Sequence, residues 1–180
     1  YDWGLIIEKK INPLIWYDVE GEEISHSYEY GGLGQALDVD YCIKLESHKE
    51  TKESEFMPKA LCYDIETDEL KIGKGEILMV SLVSENFKKV ITWKNPETKA
   101  HYIEHVKDEA ALIERFVEHV KKQNPDFLVG YFSDGFDMPY LKARAEKHKI
   151  KLSLNIDGSQ PDFSRGAMMT SKTKGLVHLD

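Results

Sequence analysis

Residues 108–123 place Leu112, Ile113, Phe116, Val117 and Val120 on one face of a helix. Start and stop signals bracket it: Asp108 as N-cap, Lys121 and Lys122 at the C-terminus, and Asn124-Pro125 as terminator. Strand candidates stand on both sides. Ala60 to Glu66, Ile77 to Val83 and Lys88 to Trp93 precede the helix, the last two forming a predicted hairpin, and Phe127 to Tyr131 follows as a buried strand. A helix between two strands favours a parallel pair with a right-handed crossover. The pair expected is 60–66 with 127–131, with a ligand site beyond their carboxyl ends. Pro139 opens a second helix through about His148, and residues 151–180 read as strands and turns around Asp157-Gly158 and Lys174-Gly175. The fold class is therefore α/β.

The chain has 180 residues, enough for one ordinary domain or one domain with a piece of another. Residues 3–11 carry a short apolar-charged pattern that Asn12-Pro13 ends as a helix stop. Ile15 to Val19 is a strand candidate. Gly31, Gly32 and Gly34 mark a loop, and Val39, Tyr41, Ile43 and Leu45 alternate as a half-buried strand. Residues 47–55 contain no apolar side chain and read as a solvated connection between two packed regions. The chain lacks an initiator Met and stops straight after an apolar run, so it reads as a fragment of something longer.

Composition narrows the class. Hydrophobic residues make up 41 %, which excludes wholesale disorder. No membrane span or secretory leader is evident. Cys42 and Cys62 cannot make a disulfide framework, so a reduced, intracellular setting is expected. With 24 basic against 32 acidic residues the net charge is −8, which argues against holding nucleic acid by bulk electrostatics. An enzyme whose acidic site is neutralised by metal remains compatible with that balance.

Asp64 and Glu66 lie two apart in a strand, so both point to the same face. Adjacent carboxylates repel and resist burial, and a divalent cation is the simplest compensation. Asp137 follows the partner strand at the entry to the next helix, and the crossover brings it to the same edge. Three carboxylates there match hard cations such as Mg2+ or Mn2+. Two such ions can activate a water and stabilise the leaving oxygen of a phosphodiester. Alone, an Asp-x-Glu pair is far more often a solvated strand end, and an Asp beside a helix start a capping or dipole residue. Only the combination, in this order of elements, points to a site.

Those residues carry a family resemblance. Cys62-Tyr63-Asp64-Ile65-Glu66-Thr67 resembles the first exonuclease motif of family B DNA polymerases, and Val129 to Leu141, with Tyr131-Phe132-Ser133-Asp134-Gly135-Phe136-Asp137 at its centre, resembles the second. Gly75 to Ser81, Val90 to Lys94, Asn124 to Leu128, Ala145 to Leu152, Asp157 to Pro161 and Val177 to Asp180 are similar to archaeal members. The resemblance is specific from about residue 59. It implies an RNase H-like exonuclease fold, a mixed sheet flanked by helices, over 58–180, and the end of a polymerase N-terminal domain with its linker over 1–57. It also implies 3′–5′ proofreading of single-stranded DNA ends with two Mg2+ or Mn2+ ions. Asp64 would hold both metals, Glu66 the one carrying the attacking water, and Asp137 the second; Thr67, Phe132, Ser133, Asp134 and Phe136 would contact DNA. Implied partners are the primer 3′ end, the rest of the polymerase chain and, through it, a sliding clamp, in a cytoplasmic, nucleoid-associated setting.

Two departures bear on activity. The family's usual Asn five residues before the second-motif Asp is Phe132 here, with Ser133 or Asp134 as substitutes in gripping the strand. The third motif, Tyr-x-x-x-Asp, is absent, so the isolated chain is expected to be a poor nuclease or none. The alternative is a decayed, non-catalytic DNA-binding or scaffold module. A zinc hydrolase built on His101, Glu104 and His105 is set aside, because that stretch reads as a polar loop or helix entry. His26, His48, His119, His148 and His178 read as surface or hydrogen-bonded, Cys62 as a small core residue, and Lys142 and Arg144 as phosphate contacts or a solvated helix face.

Overall fold

The computed structural model describes residues 10–12, 15–24, 41–52, 57–95, 100–165 and 169–180. The chain divides into two compact units, Tyr1–Met57 and Pro58–Asp180. In the first, β1 (Tyr17–Glu23) pairs antiparallel with β2 (Ile43–Glu50), Tyr17 opposite Glu50. Ser47 to Glu50, read from sequence as a connection, are therefore strand. Most side chains of this ribbon are exposed, so polar residues suit it and apolar alternation does not mark its ends. Ser47 Oγ donates to Glu20 Oε2 at 2.9 Å, and the His48 ring stands edge-on to Tyr17 at 5.4 Å. The helix expected over 3–11 falls mostly, and the Gly31-Gly32-Gly34 loop wholly, outside the described residues.

The second unit is built on a mixed six-stranded sheet among the described residues. Its strands are β3 (Ala60–Thr67), β4 (Ile77–Ser84), β5 (Phe87–Thr92), β6 (Ile103–His105), β7 (Phe127–Val129) and β10 (Val177–Leu179), in the order β10-β7-β3-β4-β5-β6. The hairpin β4–β5 is antiparallel, and β3 runs parallel to β7 with Cys62 opposite Val129. Helix α1 (Glu109–Gln123) makes the crossover and helix α2 (Asp137–His148) follows β7. A separate hairpin joins β8 (Asp162–Arg165) and β9 (Met169–Lys172). No helix among the described residues is long and apolar enough to cross a membrane.

Helix α1 has the ends its sequence encodes. The Asp108 carboxylate accepts from Ala111 N at 2.8 Å, and Asn124 closes the helix in the left-handed conformation, φ 44°. Its apolar face meets one side of the sheet. Leu61, Tyr63 and Ile65 of β3, Val80 and Leu82 of β4, Ile91 and Leu128 pack there with Leu112, Ile113, Phe116 and Val120 of α1 and Tyr140 and Leu141 of α2. Strand β3 alternates buried and exposed, so Cys62, Asp64 and Glu66 face outward with Met79, Val83, Val177 and Leu179. Cys62 is thus exposed rather than a core residue.

Three further expectations are corrected. Strand β7 ends at Val129, two residues short of the prediction, and Tyr131 is exposed. Residues 103–105 form β6 along the edge of β5, neither loop nor helix entry. There Glu104 accepts from Arg115 Nε at 2.5 Å and lies 2.8 Å from His119 Nε2, an ionic cluster in place of a zinc site. Arg144 is 1 % exposed and is neither a phosphate contact nor a solvated residue.

Arg144 belongs to a buried network that ties α1, α2 and β4 together. Its Nε donates to Glu109 Oε1 at 2.7 Å and its Nη2 to Oε2, while Ile77 N also reaches Oε1 at 2.7 Å. His148 Nε2 lies 2.6 Å from Oε2. Burial opposes charge on Glu109, but the hydrogen bonds from Arg144, Ile77 N–H and His148 outweigh it and hold the carboxyl below its ordinary range. Removing one partner leaves the other charge buried and uncompensated. Glu109→Ala should cost about 3–5 kcal/mol, and Glu109→Leu with Arg144→Met clearly less. Urea unfolding midpoints measure both. Because the folded-state value is depressed, Glu109's contribution is present above pH 4.5 and lost as pH falls through that lower value.

Candidate active site at the β3–β7 edge

The short β7 shapes the site. Past Val129 it offers β3 no further strand partner, yet β3 continues to Thr67. The Ile65 N–H on that side is taken by Asp137 Oδ1 at 3.0 Å. Asp137 occupies the first helical position of α2, Phe136 being the N-cap residue without a side-chain bond. A helix start thereby substitutes for a strand, and a carboxylate only 4 % exposed is held against the edge of β3. Burial pushes the Asp137 carboxyl up to about 6; the neighbouring Asp64 and Asp180 carboxylates add to the rise and the Ile65 N–H opposes it.

Asp64 and Asp137 are therefore within electrostatic reach of one another. Glu66 lies on the same outward face of β3 as Asp64, one pleat repeat further along, about 7 Å by strand geometry. Among the described residues, no three His, Cys, Asp or Glu side chains are gathered around a common point. The donor chemistry suits a hard cation at Asp64 and Asp137: both are oxygen ligands, and Asp137 Oδ2 is not used in holding Ile65.

A second set of residues, not read from the sequence as a unit, fixes the turn between β7 and α2. Asp180 Oδ1 accepts from Ser133 N, from Ser133 Oγ at 2.9 Å and from Asp134 N at 3.3 Å. Burial opposes its charge, and these bonds outweigh that and hold the carboxyl below its usual range. His178 is buried in the same cluster. Its Nε2 lies 3.0 Å from both Tyr63 Oη and Ser133 Oγ, and its Nδ1 lies 2.8 Å from Ser171 Oγ and 3.2 Å from Asp134 Oδ1. Burial pushes the Tyr63 phenol well above its ordinary value, so it stays a neutral hydroxyl within this cluster. The order hydroxyl, imidazole, carboxylate is that of a serine hydrolase. Ser133, however, is 0 % exposed and its hydroxyl is committed to Asp180, so it organises the turn. Gly130 permits this packing, since a Cβ there would come within 2.3 Å of Ser133 Cβ.

The residues expected to touch DNA separate accordingly. Ser133 is sealed inside the turn, and Asp134 accepts from Ser171 N at 2.8 Å. Phe136 is half-buried against Tyr140, ring centroids 5.4 Å apart. Thr67 Oγ1 donates to Glu69 O at 3.0 Å, and Tyr140 Oη donates to the same carbonyl at 3.0 Å, pinning the loop that leaves β3. Phe132 is exposed. The signal for the Asp180–Ser133–His178 cluster was present only as isolated polar residues far apart in the chain.

The raised Asp137 value has a testable consequence. A carboxyl whose folded-state pKa lies above its unfolded value contributes stability below pH 3.8 that is lost as pH rises to about 6. The facing charged groups are Asp64 and Asp180. Asp137→Asn, which keeps an acceptor for Ile65, should raise stability at pH 7.5 by on the order of 1–3 kcal/mol and leave it unchanged near pH 3. Thermal unfolding of the two proteins at both pH values measures the difference in metal-free buffer.

Comparison with known proteins agrees with this architecture. Residues 3–180 match the family described as DNA polymerase family B, exonuclease domain. The chain is 42 % identical over 126 residues to a DNA polymerase of Pyrococcus glycovorans, covering 68 % of this chain and 16 % of that protein. It is 41 % identical over 126 residues to a DNA polymerase of Thermococcus hydrothermalis, covering 68 % of this chain and 7 % of that protein. The chain thus spans about a sixth or less of these relatives. In three dimensions it superposes on the family B DNA polymerase of Pyrobaculum calidifontis with a TM-score of 0.72 at 22 % identity, over 100 % of this chain and 21 % of that one, which establishes a shared fold. With a match running almost end to end, this chain belongs to the exonuclease-domain family of family B DNA polymerases.

Proposed function

We propose that residues 58–180 belong to a 3′–5′ proofreading exonuclease, acting on single-stranded DNA 3′ ends within a longer family B DNA polymerase. Residues 1–57 are then the end of that polymerase's N-terminal domain and the linker. The observation that carries the reading is the buried Asp137 carboxylate, pushed up to about 6 and held beside Asp64 at the β3–β7 edge. Like charges brought together and partly desolvated are a cost that a cation relieves.

Asp64 and Asp137 would hold the cation, with Glu66 joining as a further oxygen ligand. Bound Mg2+ or Mn2+ would supply a polarised water and neutralise charge on the leaving oxygen. The chain's own part is positional. Ile65 N–H fixes the Asp137 carboxyl, the β3 pleat aims Asp64 and Glu66 outward, and the Asp180–Ser133–His178 cluster keeps the turn before Asp137 rigid. The acidic edge and the −8 charge repel a phosphate backbone without metal, so binding of a strand end should depend on the cation. Polymerisation, clamp contact and nucleoid association would reside in, or follow from, the rest of the polymerase.

The test is calorimetric titration of Mn2+ into this chain, Asp64→Ala and Asp137→Ala. Binding by the wild type that weakens at least about tenfold in each variant supports one carboxylate site. No binding, or binding indifferent to both substitutions, defeats the metal-site reading and favours a scaffold module, whose mark would be metal-independent, salt-sensitive DNA binding.

A further inference from the structure

Helix α2 grips the end of β3 at two points. Asp137, the first residue of the helix, accepts from the Ile65 N–H at 3.0 Å. Tyr140 lies three residues on, so it rises from the same side of the helix. It is 0 % exposed, and its hydroxyl donates to Glu69 O at 3.0 Å and accepts from Gly75 N at 3.1 Å. Burial raises the phenol above its ordinary value, so the proton needed for the first of these bonds stays in place. Between the two anchor points stands Glu66.

The loop that Tyr140 holds is closed on itself. Asp68 N donates to Glu76 O at 3.2 Å, and Glu76 N donates to Asp68 Oδ1 at 2.6 Å. Thr67 Oγ1 donates to the same Glu69 carbonyl that Tyr140 reaches. Gly75 admits the close approach, since a Cβ there would come within 2.1 Å of Asp68 Oδ1. The other side of Glu66 is fixed by a β-bulge. Glu66 stands opposite Met79 but Thr67 stands opposite Ile77, so Leu78 is an extra residue facing the Glu66–Thr67 step. Its insertion lets Ile77 and Val80, three apart, both enter the core. The end of β5 pins the bulge: Thr92 Oγ1 donates to Leu78 O and Trp93 Nε1 to Ile77 O, both at 2.8 Å. A bulge beside a reactive edge bends the strand pair and re-aims the side chain it faces.

We infer that Tyr140 is a positioning residue for Glu66. By fastening the loop next to the bulged step, it sets the direction in which the Glu66 carboxylate leaves β3, and so its approach to a cation held by Asp64 and Asp137. This rests on the metal-site reading and adds the group that brings the third oxygen ligand to that site. Glu66 starts one pleat repeat from Asp64, about 7 Å along the strand, so what it adds depends on how the end of β3 is held. Tyr140 touches neither cation nor substrate and acts through Glu69 O and Gly75 N. Its ring packs beside that of Phe136, centroids 5.4 Å apart, with or without the hydroxyl. Core packing alone would be met by Phe, whereas the loop bonds require Tyr.

The experiment is a double-mutant cycle on Mn2+ affinity, measured by calorimetry on this chain, Tyr140→Phe, Glu66→Gln and the pair. Glu66→Gln keeps the side chain's size and an oxygen donor, so binding stays measurable. Tyr140→Phe should weaken Mn2+ about tenfold where Glu66 is present and less than about threefold where it is replaced. A residue that only supported the fold would weaken binding equally in both backgrounds. In metal-free protein, amide exchange at Asp68, Gly75 and Glu76 should speed about tenfold in Tyr140→Phe while Ile65 is unchanged, which separates release of the loop from general loosening. Thr67→Val, which removes the other side-chain donor to Glu69 O and no buried ring, should repeat the coupling to Glu66. Wild-type affinity in Tyr140→Phe, equal losses in the two backgrounds, or unchanged exchange at Gly75 each overturn the inference while the metal site stands. A wild type that binds no Mn2+, or one whose binding ignores Asp64→Ala, overturns the metal-site reading and this inference with it, and the unsubstituted Tyr140 tells that failure apart.

Discussion

One hydrogen bond organises the candidate site. Because β7 stops at Val129, the Ile65 N–H of the longer β3 would be left without a strand partner, and the first residue of α2 supplies one through Asp137 Oδ1. A buried backbone donor is costly to leave unmet, so this geometry is strongly favoured. Its consequence is electrostatic. The acceptor is a carboxylate, and satisfying the sheet brings it next to Asp64, where burial and repulsion raise its pKa to about 6. Backbone accounting and the acidic character of the edge are thus one feature.

Two polar networks keep that arrangement from relaxing. Glu109 and Arg144 tie α1 to α2 and to Ile77 at the start of β4, so the helix carrying Asp137 is linked to the sheet through α1. Asp180, Ser133 and His178 lock the turn before α2 to β10 and, through Tyr63, to β3 itself. The first is buried and the second only partly so, and breaking a buried charged network is expensive. The site's like charges sit on this frame, and metal binding would exploit a repulsion that the frame sustains.

Much of the second unit was legible because its signals are local. The amphipathic stripe and caps of α1, the β4–β5 hairpin and the parallel pairing of β3 with β7 follow from periodicity, turn chemistry and crossover handedness. The misreadings came where locality fails. Arg144 reads as a surface residue because charge suggests solvent, and only α1 packing across it supplies Glu109. Residues 47–50 read as a linker because an exposed two-stranded ribbon needs no apolar alternation. Ser133 reads as an outward-facing residue of the second motif, yet its hydroxyl turns inward to Asp180.

Motif spacing and side-chain periodicity are properties of short stretches, and they carried the family resemblance, the order of the elements and the choice of three candidate carboxylates. Which of these groups come near one another depended on long-range packing. Packing brought Asp137 within electrostatic reach of Asp64 and left Glu66 one step further along the strand, raised one carboxyl and depressed another, and turned Phe132 outward while burying Ser133 beside it. Those outcomes depend on burial and on partners distant in the chain, and neither is encoded in any one segment.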